Sequence, residues 1–148
     1  MIQFKPLALA DIEIIVQLME EFYAIDNYPI AVEVSKALFK EFISNEDLGR
    51  AWLILEDKVV VGYLILTYIF SFEYQGKIAF LDELYLTEKA RGKGIGNKAI
   101  AFIKIESHNA SLKLIYLELE QHNEKGRKLY LANGFECHHR QLMKYKIK

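Results

Sequence analysis

Residues 91 to 96, Arg91-Gly92-Lys93-Gly94-Ile95-Gly96, put two cations and three glycines into one short stretch that runs into an amphipathic pattern at Ala99, Ile100, Phe102 and Ile103. Glycine lets a backbone come close to a ligand and turn free N–H groups toward it, and the positive end of a helix dipole adds attraction for negative charge. The chemistry this suggests is capture of a phosphate-bearing group; a tight turn with no ligand is the plainer alternative. A second feature is Asp82-Glu83, two carboxylates inside the apolar run "IAFLDELYL". Such groups can take a proton as a general base or pair with a cationic substrate, and they can equally be satisfied by backbone or basic neighbours. A third is "NEKGRKLYLANGF", residues 123 to 135. On a helix Asn123 and Tyr130 lie seven residues apart, close to two turns, so they share a face with Gly126 between them, where a bulky side chain would block a ligand.

The elements that must position these residues follow from the rest of the chain. With 148 residues, 52% hydrophobic and 26% charged, it suits a single domain spanning 1–148 with a sizeable core. Nineteen basic residues against twenty acidic ones give a net charge of −1. No overall field therefore favours nucleic acid or an anionic membrane, and any anion site must be local. Cys137 is the lone cysteine, which excludes an internal disulfide, and no Cys/His spacing suggests a metal site. The N-terminus lacks a signal-peptide core and no apolar run approaches the roughly 20 residues that span a bilayer. The expectation is a soluble, intracellular, cytoplasmic protein.

Ile2 to Pro6 alternates as a short strand, and Ala10-Asp11 can cap a helix carrying Ile12, Ile15, Val16, Met19 and Phe22. "NYPI" breaks it, and Ala37, Leu38, Phe42 and Ile43 form a weaker second stripe. From Ala51 the composition turns β-branched and aromatic, with "EDK" between two strands of an antiparallel hairpin and "YQGK" leading into a third strand, Ile78 to Leu86. After the glycines come a helix ending near residues 107–111, a strand over 112–120 parallel to the one before the glycine loop, a helix capped by Asn123 and stopped at Gly134, and two final strands, Phe135–Arg140 and Gln141–Ile147. The order βααβββαβαββ predicts an α/β (α+β) fold: one mixed, mainly antiparallel sheet flanked by helices.

Three phosphate motifs can be tested on the glycine segment. The P-loop pattern fails, because counting from Gly92 it meets Asn97, Lys98 and Ala99 where glycine, lysine and a hydroxyl are needed. The dinucleotide fingerprint G-x-G-x-x-A is satisfied by Gly94 to Ala99, and Glu118 falls near the ribose-binding distance. However, "TEKARGK" separates the strand from Gly94, and too little chain follows for a doubly wound sheet. The third pattern, Arg/Gln-x-x-Gly-x-Gly/Ala, is met in full from Arg91 to Gly96.

On this motif the chain resembles the GCN5-related N-acetyltransferases (GNAT), in which a segment of this form binds the pyrophosphate of acetyl-CoA. "FLDELYLTEKARGKGIG" is similar to that family's fourth strand and following loop. "NEKGRKLYLANGF" is similar to its N-x-x-A-x-x-L-Y-x-x-x-G-F segment, with Gly126 in place of the common alanine. The resemblance covers roughly residues 78 to 135. It implies an acetyl-CoA-dependent N-acetyltransferase in which a primary amine attacks the thioester directly, without a metal.

By the same resemblance, loop N–H groups from Arg91 through Gly92, Lys93, Gly94, Ile95 and Gly96 to Asn97 take the pyrophosphate. Backbone groups of Leu84, Tyr85 and Leu86 pair with the pantetheine arm, Asn123 reaches it, and Tyr130 protonates the departing thiolate. An amine with pKa near 10.4 is almost wholly protonated at neutral pH, so a base is needed. Asp82 and Glu83 are the leading candidates, Glu118 and Glu120 second choices acting through water. Glu20, Glu21 and Asp26 could attract a cationic acceptor. "LDELYL" resembles the diamine and polyamine members, which points to a small cationic amine, and a homodimer is possible. The alternatives are an acyl-CoA-binding sensor without turnover and a nicotinamide-dinucleotide-binding protein.

Overall fold

The computed structural model describes all residues, Met1 to Lys148. The chain divides into two compact units, Met1–Glu118 and Leu119–Lys148. The first holds a five-stranded sheet in the order β1-β2-β3-β4-β5: β1 (Ile2–Pro6), β2 (Gly49–Glu56), β3 (Val59–Ser71), β4 (Gly76–Leu86) and β5 (Ile115–Tyr116). All neighbours are antiparallel except β4 and β5, which are parallel. The helices of this unit are α1 (Ile12–Ile25), α2 (Val32–Ser44) and α3 (Ile95–Asn109); α4 (Glu124–Ala132) belongs to the second unit.

Residue spacing explains the first helix. Ile12, Ile15, Val16 and Met19 recur at intervals of three and four and are buried, while Glu13, Gln17 and Glu20 face water. A short 3-10 turn, Leu9–Asp11, leads in, and the Asp11 carboxylate accepts the Ala8 N–H at 2.9 Å and pairs with Lys5. The second stripe differs from the sequence expectation: α2 buries Phe39, with Phe42 and Ile43 packed beside it, whereas Leu38 is exposed and Ala37 faces water. The buried face runs from Val32 through Phe39, one helical step away from the stripe read at Ala37-Leu38.

The β2–β3 turn is the two-residue Asp57-Lys58, both left-handed, at φ 48° and 71°, as a tight hairpin requires. One sheet face packs on α1 and α2 through Leu53, Tyr63, Ile65 and Tyr85. On α3, Phe102 stacks on Phe4 of β1 at 4.3 Å between centroids and meets the Trp52 ring edge-on at 5.3 Å. Each large side chain taken from water in this way contributes about 1.5–3 kcal/mol.

Two expectations are corrected at the C-terminal end. The strand read over 112–120 is formed only at Ile115–Tyr116, and the strands read at Phe135–Arg140 and Gln141–Ile147 are not formed. Leu142, Met143, Tyr145 and Ile147 are 67%, 89%, 84% and 84% exposed. Alternating residues give a strand its propensity, but a ladder needs a partner edge to satisfy backbone groups, and β5 offers only two residues of pairing. Cys137 is exposed. No helix is long and apolar enough to cross a membrane.

Candidate active site

β4 carries the chemistry, and a local irregularity decides which way its carboxylates face. Ile65 of β3 pairs with Glu83, yet the next residue, Leu66, pairs with Leu81. Asp82 is therefore the extra residue of a β-bulge, two residues opposing one. The bulge leaves Asp82 exposed at the sheet surface, while Glu83 is half-buried on the face covered by α1. Partial burial pushes the Asp82 carboxyl up from its ordinary value.

Glu83 sits between two phenols. Tyr63 of β3 donates to its Oε1 at 2.6 Å and Tyr23, in the last turn of α1, donates to its Oε2 at 2.7 Å. Burial raises the Glu83 carboxyl above the ordinary glutamate value of 4.5; the two phenols pull it back down and the Asp82 charge adds to the rise. Both phenols are raised in turn, first by burial and then by the Glu83 carboxylate, so they keep their protons at neutral pH. A buried carboxylate with a raised pKa and an intact hydrogen-bond relay is what a general base requires. Alongside, Tyr85 donates to Glu21 Oε2 at 3.3 Å and stacks on Phe22, with 5.2 Å between centroids.

Beyond Leu86 the backbone enters a 3-10 turn, Glu88–Ala90, and then the glycine loop. Gly92 and Gly94 have φ of 75° and 80°, and a side-chain carbon added at either would meet nothing within 4 Å. The loop is thus left-handed and open on its outer side. Gly94 is the N-cap of α3 and Ile95 its first, buried residue. Gly96 and Asn97 lie in the first turn, and the Lys98 N–H closes the first helical bond, to the Gly94 carbonyl at 3.3 Å. Arg91 Nε donates to the Leu86 carbonyl at 3.0 Å, and its guanidinium lies 5.7 Å from the centre of the Tyr85 ring. Lys93 pairs with Glu56 at 3.2 Å. Both cations of the loop thus have partners within the chain.

The edge of β4 away from β3 pairs with β5 only at Ala79 and Phe80. From Leu81 to Leu86 no strand is added on that side; backbone groups alternate along a strand, so those of Leu84 and Leu86 face this edge, the Leu86 carbonyl already accepting from Arg91, while the Tyr85 carbonyl lies against Gly62 of β3.

In the second unit, Asn123 caps α4: its Oδ1 accepts the Gly126 N–H at 2.9 Å. The Asn123 amide also occupies the space a side chain at 126 would need, its Nδ2 lying 2.5 Å from such a carbon. Gly126 thus makes room for its own cap, a local reason for glycine that helical spacing does not reveal. The Tyr130 phenol is half-buried, pushed up to about 12 by burial, and its ring meets Phe135 edge-on at 5.6 Å. Gly134 takes φ 90° just past the helix, as its position predicts. Glu118, in the first unit, and Glu120, in the second, lie in irregular, exposed chain. No group of three His, Cys, Asp or Glu side chains is arranged to hold a metal.

Within the first unit the structure brings Asp82 to Leu86 and the 91–97 loop onto one continuous strand–loop–helix path. Reading the sequence missed Tyr23 and Tyr63 as partners of Glu83. They lie 60 and 20 residues away from it, and their spacing marks them only as core aromatics.

Comparisons with known proteins agree with this geometry. Residues 13–135 match the family model of the acetyltransferase (GNAT) family. The uncharacterized N-acetyltransferase YhfO of Bacillus subtilis (strain 168) is 32% identical over 81 residues, 55% of this chain and 54% of YhfO, so the match spans about half of that relative's length. The D-amino-acid N-acetyltransferase HPA3 of Saccharomyces cerevisiae (strain ATCC 204508 / S288c) is 25% identical over 125 residues, 81% of this chain and 76% of HPA3. The crystal structure of the integron cassette protein HFX_CASS3, from the mobile metagenome of Cole Harbour Salt Marsh, superposes with a TM-score of 0.89 at 31% identity, covering 99% of this chain and 91% of that one. A mainly antiparallel sheet is not a doubly wound dinucleotide fold, and its strand stops at Leu86, well short of Gly94. The family match spans residues 13–135, most of the chain, and the chain belongs to the acetyltransferase (GNAT) family.

Proposed function

We propose that this protein transfers an acetyl group from acetyl-CoA to a primary amine, with a small cationic amine as acceptor. One observation carries the reading: β4 holds the half-buried carboxylate Glu83 and, on the same run of backbone, leads to an open left-handed loop at the start of α3. A reactive group and an anion cradle are thereby set on one rigid path. Family membership supports the same assignment.

The residues fit the coenzyme's chemistry. Backbone donors from Gly92 to Asn97 suit a pyrophosphate. The strand-free edge at Leu84 to Leu86 suits an extended pantetheine arm whose amides can add to the sheet. Acetyl-CoA would supply an activated thioester, and the protein's own groups do the rest. Glu83 takes the acceptor's proton, since a protonated amine has no lone pair to attack with. Tyr130, a phenol that keeps its proton, delivers one to the thiolate. The carboxylates Asp82, Glu83 and Glu21 favour a cation near the acceptor side. The family match runs across both compact units, which supports reading residues 1–148 as one catalytic domain.

The test is a panel of amines, including diamines, polyamines, D-amino acids and aminoglycosides, with acetyl-CoA and detection of released thiol. Turnover with a cationic amine supports the reading. Binding of acetyl-CoA with no turnover for any amine would instead make the protein an acyl-CoA sensor.

A further inference from the structure

The two oxygens of Glu83 are held by phenols of very different exposure. Tyr63, on Oε1, is 0% exposed. Tyr23, on Oε2, stands at the end of α1 and is only half-buried. A phenol that donates its single proton to a carboxylate keeps an oxygen lone pair able to accept another. Enclosed on all sides, Tyr63 has nothing to accept from outside the core. Tyr23 can present its oxygen to a molecule on the surface while remaining bonded to Glu83.

We propose that Tyr23 is a catalytic residue, the contact through which Glu83 deprotonates the acceptor amine, and that Tyr63 is a positioning residue holding the carboxylate in place. The inference rests on the acyl-transfer reading above. An ammonium N–H gives its proton to the Tyr23 oxygen as the Tyr23 O–H proton moves to Glu83 Oε2, leaving a neutral amine, an intact phenol and a glutamic acid. The amine nitrogen then forms the C–N bond to the thioester carbonyl carbon and the C–S bond breaks. The second nitrogen proton passes by way of Tyr130 to the departing thiolate, and Glu83 returns its proton to solvent. No phenolate persists at any point, in keeping with the raised pKa of Tyr23.

The groups that face Glu83 are Tyr23 from α1, Tyr63 from β3 and Asp82 from its own strand, with Tyr85 next to them carrying Glu21 and Arg91. Tyr63 and Tyr23 both stabilise the charged carboxylate. Removing Tyr63 therefore lets the Glu83 pKa rise, and the acidic limb of kcat/KM moves to higher pH.

The experiment compares Tyr23→Phe, Tyr63→Phe and Glu83→Gln with the wild type. It reads kcat and KM across pH on an amine the wild type acetylates, with the acetyl-CoA-induced rise in Tm as a control for fold and coenzyme site. Expected is a loss of kcat of about 100-fold in Tyr23→Phe, comparable to Glu83→Gln, with KM for acetyl-CoA unchanged. Tyr63→Phe keeps more of its rate and shows the upward shift of the acidic limb. A Tyr23→Phe enzyme with wild-type kcat beside a crippled Glu83→Gln overturns the relay, since Glu83 would then meet the amine directly. Wild-type kcat in Glu83→Gln overturns it together with the choice of base. If wild-type protein binds acetyl-CoA but acetylates nothing, the acyl-transfer reading itself has failed. Should Tyr23→Phe not fold, a fluorinated tyrosine placed at position 23 alone, isosteric but more acidic, decides the matter: an altered kcat and solvent isotope effect support the relay, and unchanged values overturn it.

Discussion

The glycine loop and the carboxylate cluster lie on one stretch of chain, yet they are built in opposite ways. From Gly92 to Asn97 the proposed working groups are backbone N–H donors, the conformation is set by residues within the loop, and nothing stands within 4 Å of where side chains at Gly92 and Gly94 would be. At Glu83 the proposed working group is a side chain whose hydrogen bonds come from residues 60 and 20 positions away. A backbone site should therefore fail through conformation and a side-chain site through chemistry.

Glu83→Gln sharpens that contrast most. The amide keeps the size of the side chain but only one of the two oxygens that accept from Tyr63 and Tyr23, and it cannot take a proton, so kcat should fall about 100-fold, about 2.7 kcal/mol of barrier, with coenzyme binding unaffected. Steady-state kinetics beside an acetyl-CoA titration checks both halves. Gly94→Val should do the reverse: its φ of 80° costs a side chain with a Cβ about 1–2 kcal/mol. The Tm should drop and the rise induced by acetyl-CoA should shrink, while the Glu83 cluster stays intact.

A third prediction uses pH. The folded Glu83 carboxyl lies above 4.5 because of burial, so between that value and its raised one the native protein binds more protons than the unfolded chain. The wild type loses this contribution as pH rises through the window; Glu83→Gln has none to lose. The unfolding free energy of the variant relative to wild type should thus increase as pH rises through the window above 4.5, as denaturant titrations would read. A relative stability that falls over this range would contradict the burial of Glu83.

The smallest effect belongs to Gly126→Ala. Displacing the Asn123 amide costs about 1 kcal/mol of capping, and alanine returns about 1 kcal/mol of helix propensity, so chemical denaturation should find little change. Asn123→Ala, which loses the cap without that return, should cost about 1 kcal/mol.

The same division explains what was legible in the sequence. The glycine loop running into a helix, the Asn123 cap and the Gly134 stop are local signals, and all were readable because the physics that fixes them lies within a few residues. The hairpin at Asp57-Lys58 and the α1 stripe were readable for the same reason. The bulge at Asp82 was not, because it is a property of pairing with Ile65 and Leu66 of another strand. Without it, alternation alone left open which carboxylate turned inward. Tyr63 looked like any buried aromatic, since the hydrogen bond that distinguishes it arises only in the packed sheet. The C-terminal residues 135–147 carry strand composition, yet a strand exists only where an edge is offered to it.

The central claim, that the 91–97 loop is a cradle for coenzyme A, is tested most directly by measuring the Tm of the purified protein with acetyl-CoA, CoA and NAD in parallel. A ligand that binds only the folded state at 100 times its Kd raises stability by about 2.7 kcal/mol. The account predicts stabilisation by acetyl-CoA and CoA, none by NAD, and a diminished response in Gly94→Val. Stabilisation by NAD alone, or an undiminished response in Gly94→Val, would contradict it.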